Sequence, residues 1–288
     1  MYLRQALKTI VPEPILKKIR ANYNKHKKYS NEIQLLKGKR ISQSCEKSVV
    51  FFTTRKCAST YMDKCIEYLN EKYLKLTQVN LESYIWQYSN QDMYQVLEEK
   101  LMAFQSQGVL YAPLRNYIPI KDIENYRILL MLRDPRDVIV SNYYSLGFSH
   151  SLPLDEERRK EFLEFRGRIQ KQTVDEYVIE RADRFYRMYD EYCNLIKAQN
   201  LQWLRYEDFM QDFDLWVKQL GECLQISINE QDKSTLFEMK GGGQQVEENK
   251  LKHIRKATPG DHKEKLSKET QDFLNMKFKD LLLILKYE

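Results

Sequence analysis

Ile128-Leu129-Leu130-Met131-Leu132-Arg133-Asp134-Pro135-Arg136-Asp137-Val138-Ile139-Val140-Ser141 is an apolar run that stops at Arg133 and turns at once into a helix. Asp134 is a natural N-cap, Pro135 fits the first helical position, and Asp137 falls three residues after the cap, as in a capping box. Some seventy residues earlier, Val49-Val50-Phe51-Phe52-Thr53-Thr54-Arg55-Lys56-Cys57-Ala58-Ser59-Thr60-Tyr61 follows the same plan of strand into helix. A helix N-terminus presents unpaired N–H groups and the positive end of its dipole, so a Lys or Arg beside it completes a site for phosphate or sulfate. Two such junctions predict a ligand that carries negative charge at both ends.

The 288 residues, 42% apolar and 12% aromatic, suffice to bury a full core, and one large α/β domain is expected. Cys45, Cys57, Cys65, Cys193 and Cys223 form no Cys-x-x-Cys pair and no closely spaced framework, which argues against a disulfide scaffold or zinc site and for a reducing cytoplasm. No apolar run reaches the roughly 18 residues of a membrane span, and Lys8, Glu13 and Lys17 interrupt the N-terminal stretch where a signal peptide would lie. The net charge of +6 is uneven: residues 1–40 hold eleven Lys or Arg against Glu13 and Glu32, which is +9, and the remainder is −3. Residues 1–40 therefore read as a basic arm with at most peripheral membrane contact and no nucleic-acid role, followed by a single domain over 41–288.

Strands are predicted at 48–52, 109–112, 126–132 and 201–204, alternating with helices at 59–74, within 80–107, at 173–200, 214–223 and from 267 onward. That alternation predicts a central, mostly parallel sheet flanked by helices, with ligands at the C-terminal ends of the strands. The charged stretch 147–171, with Pro153 and two glycines, reads as a lid-like excursion. Tyr177, Phe185, Tyr189 and Tyr192 recur at near-helical spacing and read as core.

The motifs resemble those of sulfotransferases that use 3′-phosphoadenosine-5′-phosphosulfate (PAPS). Arg55-Lys56-Cys57-Ala58-Ser59-Thr60-Tyr61 resembles the family's phosphosulfate loop, Pro-Lys-Ser-Gly-Thr-Thr-Trp, with Arg55, Cys57 and Ala58 as departures. Arg133 and Ser141 reproduce the Arg and Ser, eight residues apart, that hold the 3′-phosphate. Leu204-Arg205-Tyr206-Glu207-Asp208 resembles a Tyr-Glu-Asp segment whose tyrosine lies against adenine, and 234–240 a further adenine segment with Ser234 and Leu236 at the contacting positions. Arg255-Lys256-Ala257-Thr258-Pro259-Gly260-Asp261-His262-Lys263 resembles Arg-Lys-Gly-x-x-Gly-Asp-Trp-Lys, a loop closing over the 3′-phosphate. The five signatures run in family order from 49 to 263.

The resemblance implies a P-loop-like sulfotransferase fold, PAPS as donor and PAP, its desulfated product. In sulfuryl transfer the protein mainly positions the reactants in line and stabilises charge leaving with the nucleotide, work that cationic side chains perform without a metal. Lys56 is expected at the bridging oxygen and 5′-phosphate, helped by the amides of Ala58 to Thr60. Many cytosolic members carry a basic His at a Lys-Thr-His-Leu-Pro strand end, and here Ala112 occupies its place. Of the four histidines, His150 is the candidate facing the acceptor. Tyr111 and Arg115 are candidates to line the acceptor pocket. The expected acceptor is a hydroxyl or amine of a small molecule, with natural products such as saxitoxin-type alkaloids as one neighbourhood. A cationic acceptor of that kind predicts carboxylates in the pocket, with Glu82, Glu247 and Glu248 available. The alternatives are a glycan or lipid sulfotransferase, or a P-loop kinase-like enzyme, disfavoured because Gly-x-x-x-x-Gly-Lys-Ser/Thr is absent.

Overall fold

A computed structural model describes residues 26–88, 93–100, 104–153, 156–240 and 258–287. In chain order the elements are α1 (Ser30–Leu36), β1 (Val49–Thr53), α2 (Ser59–Leu69, prolonged by a π-helical turn Asn70–Leu74), β2 (Thr77–Val79), α3 (Leu81–Tyr88), α4 (Met93–Glu99), β3 (Val109–Leu114), β4 (Arg127–Leu132) and α5 (Pro135–Tyr144). A π-helical turn, Ser145–Ser149, follows α5. Then come α6 (Glu156–Gln170), α7 (Val174–Gln199), β5 (Leu204–Arg205), α8 (Tyr206–Gln211), α9 (Phe213–Leu224), α10 (Glu230–Met239), α11 (Asp261–Lys265), α12 (Lys268–Lys277) and α13 (Lys279–Leu285).

The five strands form one sheet in the order β2-β3-β1-β4-β5, and every pairing is parallel. Such strands are covered on both faces, which is why β1, β3 and β4 read as continuous apolar runs rather than alternating ones. Val50 and Phe52 of β1 face the core that holds Tyr177, Tyr189 and Tyr192 of α7, whereas Val49 and Phe51 face Met62 and Ile66 of α2 and Trp216 and Leu220 of α9.

Register does the rest. Phe52 pairs with Leu114 on one side and Leu130 on the other, and Thr53 pairs with Met131. The three central strands therefore end together, and the residues just beyond them, Lys56, Arg115 and Arg133, share the sheet's C-terminal edge. In doubly wound sheets this edge, where the chain moves from one side of the first strand to the other, is where ligands bind.

The aromatic stripe of α7 is core, as its spacing predicts, and it also props that edge. Tyr192 donates its hydroxyl to the Thr53 carbonyl at 2.8 Å, and Tyr189 donates to the Arg133 carbonyl at 2.6 Å. These are carbonyls at the ends of β1 and β4, where the ladder stops satisfying the backbone. The helix itself starts at a full capping box between Thr173 and Glu176.

The excursion expected over 147–171 contains a regular 15-residue helix, α6, in which Ile169 is the one buried residue. Without an apolar stripe its sequence carries no helical period to read. Three-residue β2 is too short for a periodic signal. Among the described residues no helix is long and apolar enough to cross a membrane. Residues 1–25 of the basic arm lie outside the described residues.

Candidate active site

The chain leaving β1 reaches α2 through a loop with two left-handed residues, Lys56 at φ 68° and Ala58 at φ 49°. Ala58 stands at the N-cap of α2 and supplies no side-chain cap, so the first-turn N–H groups of this helix are open to a ligand. Cys57 pins the loop from beneath. Its buried thiol donates to the Met131 carbonyl at 3.5 Å, and burial pushes its pKa up to about 12, which makes it an inert anchor. Arg55 and Lys56 are half-buried and Thr60 is exposed, whereas Thr54, Cys57 and Ser59 are buried.

Ser59, the first residue of α2, accepts a hydrogen bond from Arg115 Nε at 3.0 Å. Arg115 in turn is held by Glu82, whose carboxylate takes the Arg115 guanidinium at 3.0 Å through one oxygen and the Arg115 backbone N–H through the other. Both residues were expected toward the acceptor. The structure brings them together as an ion pair and joins them to Ser59, where the loop after β1 enters α2.

At the second junction, Asp134 caps α5 by accepting from the Arg136 backbone N–H at 2.9 Å, with Pro135 in the first turn as expected. The capping box does not form. Asp137 instead accepts from Arg133 Nη2 at 3.1 Å, from the Gly260 N–H at 2.7 Å and from the His262 N–H at 3.0 Å, while its Oδ1 lies 2.7 Å from His262 Nδ1. Burial would raise this carboxyl, but the bonds from His262 and the charge of Arg133 hold it well below the usual carboxylate range. Glu207 plays the part expected of Asp137, accepting the Asp134 N–H at 3.1 Å. The Asp134 carboxylate also forks onto Arg136 at 2.7 Å, and Arg136 reaches Asn275 and the Tyr287 carbonyl. The expectation that this helix end holds an anion as the first does is therefore corrected: its first turn is closed by the protein's own side chains.

What β4 presents at this edge is the side chain of Arg133. Arg133 is 6% exposed and bonds the Lys56 carbonyl through Nη1 at 3.3 Å and the Thr258 carbonyl through Nη2 at 3.3 Å. Its guanidinium lies over the Tyr206 ring, 4.4 Å from the centroid, and its Nε is buried with no protein partner. Ser141 is the one residue from Pro135 to Tyr143 that is not buried.

Beside α2, Tyr61 donates its hydroxyl to the Leu236 carbonyl at 2.8 Å and packs on Phe209 at 4.7 Å, so the residues expected around adenine, Tyr61, Tyr206 and Leu236, join one aromatic cluster. Ser234 is exposed on α10. Asp232, fully buried on that helix, accepts from Tyr68, Lys72 and Tyr73 and so fastens α10 to α2 and its π-helical extension.

On the acceptor side, Tyr111 is corrected: it is 1% exposed, stacks on Phe104 and bonds its hydroxyl to the Gln105 backbone, before β3, so it faces core rather than pocket. Ala112 is 2% exposed in the core under α2, and Arg115, the residue just after β3, is the one that reaches Ser59. His150 sits between the rings of Trp86, at 6.0 Å, and Phe162, at 5.7 Å. Trp86 lies one helical turn beyond Glu82 on α3, about 6 Å along the axis. Arg255, Lys256, Ala257, Glu247 and Glu248 lie outside the described residues.

A parallel sheet whose C-terminal edge carries an uncapped helix end and the cations Lys56, Arg115 and Arg133 is suited to an anionic ligand. The chain belongs to the sulfotransferase domain family, whose model matches residues 47–285; it is a sulfotransferase. Among solved structures, mouse sulfotransferase SULT7A1 complexed with PAP is 14% identical over 88% of this chain and 92% of that one, with a TM-score of 0.49. Retinol dehydratase in complex with retinol and PAP is 19% identical over 86% and 84%, also at 0.49. No curated relative matches by sequence.

Sequence reasoning missed Glu207 and His262 as supports of the second junction. It also missed the contact from Arg115 to Ser59, which joins residues 56 positions apart.

Proposed function

We propose that the enzyme transfers the sulfuryl group of PAPS to a hydroxyl or amine of a small molecule. The observation that carries this reading is the bond from Arg133 Nη1 to the Lys56 carbonyl, which couples the two cationic sites to one loop, as a ligand with phosphate at each end requires. The buried, unpartnered Nε of Arg133 is a donor that a 3′-phosphate would satisfy.

In this reading Lys56 and the amides of Ala58, Ser59 and Thr60 hold the 5′-phosphosulfate, flanked by Arg55 and Cys57. Arg133 and Ser141 hold the 3′-phosphate, together with Arg255, Lys256 and Ala257. Tyr61, Tyr206, Ser234 and Leu236 surround the adenine. The acceptor oxygen or nitrogen bonds to sulfur as the S–O bond to the 5′-phosphate breaks, and the electron pair stays on that phosphate beside Lys56. In this reading His150, whose ring lies between Trp86 and Phe162, takes the acceptor's proton. A saxitoxin-type cation draws no support from Glu82, whose charge Arg115 already meets; arginines at 115, 158 and 166 and the rings of Trp86 and Phe162 favour a neutral or anionic acceptor. Cysteines that form no disulfide fit a cytoplasmic setting.

Thermal melting tests the donor. PAP at about 100 times its Kd should stabilise the protein by about 2.7 kcal/mol, and adenosine 5′-monophosphate, ATP and RNA at the same concentration should do far less. Equal shifts with adenosine 5′-monophosphate would remove the 3′-phosphate from the scheme. A labelled-sulfate assay over hydroxyl, amine and glycan acceptors then identifies the second substrate.

A further inference from the structure

Arg115 is oddly placed for a residue of the acceptor pocket. Because Phe52 pairs with Leu114, Arg115, the residue just after β3, emerges beside the loop leaving β1, and its Nε lies 3.0 Å from the hydroxyl of Ser59. Ser59 opens an uncapped helix, where the dipole already places positive potential. A guanidinium there opposes that potential unless an anion compensates it. In the free protein Glu82 does so. Its side chain is 5% exposed and both of its oxygens are taken by Arg115, one by the side chain and one by the backbone N–H. Asp63, on the next turn of α2 after Ser59, also feels this charge: burial raises its pKa, and Arg115 opposes the rise.

Two further readings fail on the same contacts. With one bond from Arg115 on each oxygen and its charge met there, Glu82 has little charge left to offer a cationic acceptor or a proton. Arg115 itself keeps its proton at any working pH, so it moves none.

We infer that Arg115 is a second catalytic cation, contacting the non-bridging oxygens of the transferring sulfuryl group, and that Glu82 is its positioning residue. This assignment rests on the PAPS reading above. Lys56 then stands on the side of the leaving phosphate and Arg115 on the side of the group in flight. As the acceptor bonds to sulfur and the S–O bond to the 5′-phosphate breaks, the electron pair goes to the phosphate, the acceptor's proton goes to His150, and Arg115 neutralises the sulfuryl oxygens throughout. A side chain forked between a carboxylate and a helix terminus is already oriented for that contact, which lowers the ordering cost of making it.

PAPS and PAP differ by the sulfuryl group alone, so their affinities isolate the contact. Displacement of labelled PAP by PAPS and by PAP should be measured for the wild type, Arg115→Met, Arg115→Lys and Glu82→Gln. Arg115→Met is expected to weaken PAPS by about 10- to 100-fold, the range of a charge-assisted hydrogen bond, and PAP by less than about twofold. Retained PAP binding also reports that the variant folds. Arg115→Lys, which keeps the charge and loses the fork, should recover part of the PAPS affinity. Glu82→Gln should shift the PAPS-to-PAP ratio in the same direction as Arg115→Met by less, a change that a role confined to packing would not produce. Equal losses for PAPS and PAP, or none, in Arg115→Met would overturn the assignment while leaving the donor reading intact. A wild-type protein that binds neither nucleotide would overturn both.

Discussion

The two strand-to-helix junctions look alike in sequence and are built in opposite ways. At β1 the helix α2 begins without a side-chain cap, behind two left-handed residues that are not glycine, and the nearest cations are Lys56 and Arg115. At β4 the helix α5 begins with an Asp cap and a proline, its N-cap N–H goes to Glu207, and its first-turn carboxylate is shared by Arg133, Gly260 and His262. One junction leaves its hydrogen-bonding capacity open; the other completes it internally. An open helix end costs stability and offers preorganised donors to developing charge. A closed one contributes stability and holds a side chain, here Arg133, in a fixed place.

If that contrast is correct, substitutions at the two junctions should separate catalysis from folding. Lys56→Ala at the open junction should lower turnover by about 10²- to 10³-fold, with the melting temperature nearly unchanged. A variant that keeps most of its sulfuryl-transfer rate would remove Lys56 from the leaving-group side.

At the closed junction the largest effect should fall on stability. Asp137→Asn leaves Arg133 buried without its carboxylate and should cost about 3 kcal/mol, read from urea unfolding. Its pH dependence carries a sign. Because the folded carboxyl lies below its unfolded value of 3.8, its contribution is complete above that pH and is lost as pH falls below it. The wild type should therefore lose stability on acidification through this region more steeply than Asp137→Asn. Parallel curves would show that the Arg133, Asp137 and His262 cluster contributes nothing to the junction.

What could be read in advance follows the range of the interactions involved. The apolar runs of β1 and β4, the cap at Asp134, and Lys56, Arg133 and Ser141 lie in contiguous segments, where period and cap chemistry act over a few residues. Asp137 satisfied every local condition for a capping box, yet its partners arrive from 260 and 262, more than 120 residues away. Glu82 and Arg115 carry no local signal of pairing, since their contact depends on where β3 ends relative to β1. Tyr111 lies in the segment that resembles the family's strand end, and because β3 is buried on both faces it has no polar alternation to tell a pocket side chain from a core one. The helix α6 is hidden for the converse reason, having almost no buried face at all.

The smallest effect bears most directly on the contrast. Ala58 adopts φ 49°, a conformation in which an L side chain costs roughly 1 kcal/mol relative to glycine. The resemblance to the phosphosulfate loop puts glycine at this position, so the strain belongs to this chain rather than to the loop's geometry. Ala58→Gly removes the Cβ but also gives the unfolded chain more freedom, a loss of up to about 1 kcal/mol that offsets part of the gain. A net gain of at most about 1 kcal/mol is expected, seen as a rise of roughly 2 °C or less in Tm for a domain of this size. PAP affinity should stay within about twofold, since the donors at α2 are backbone N–H groups that glycine retains. If Ala58→Gly instead weakens PAP tenfold, the methyl group is what keeps the loop in its left-handed form, and the open junction is held by sterics at Ala58 rather than by the buried anchor at Cys57.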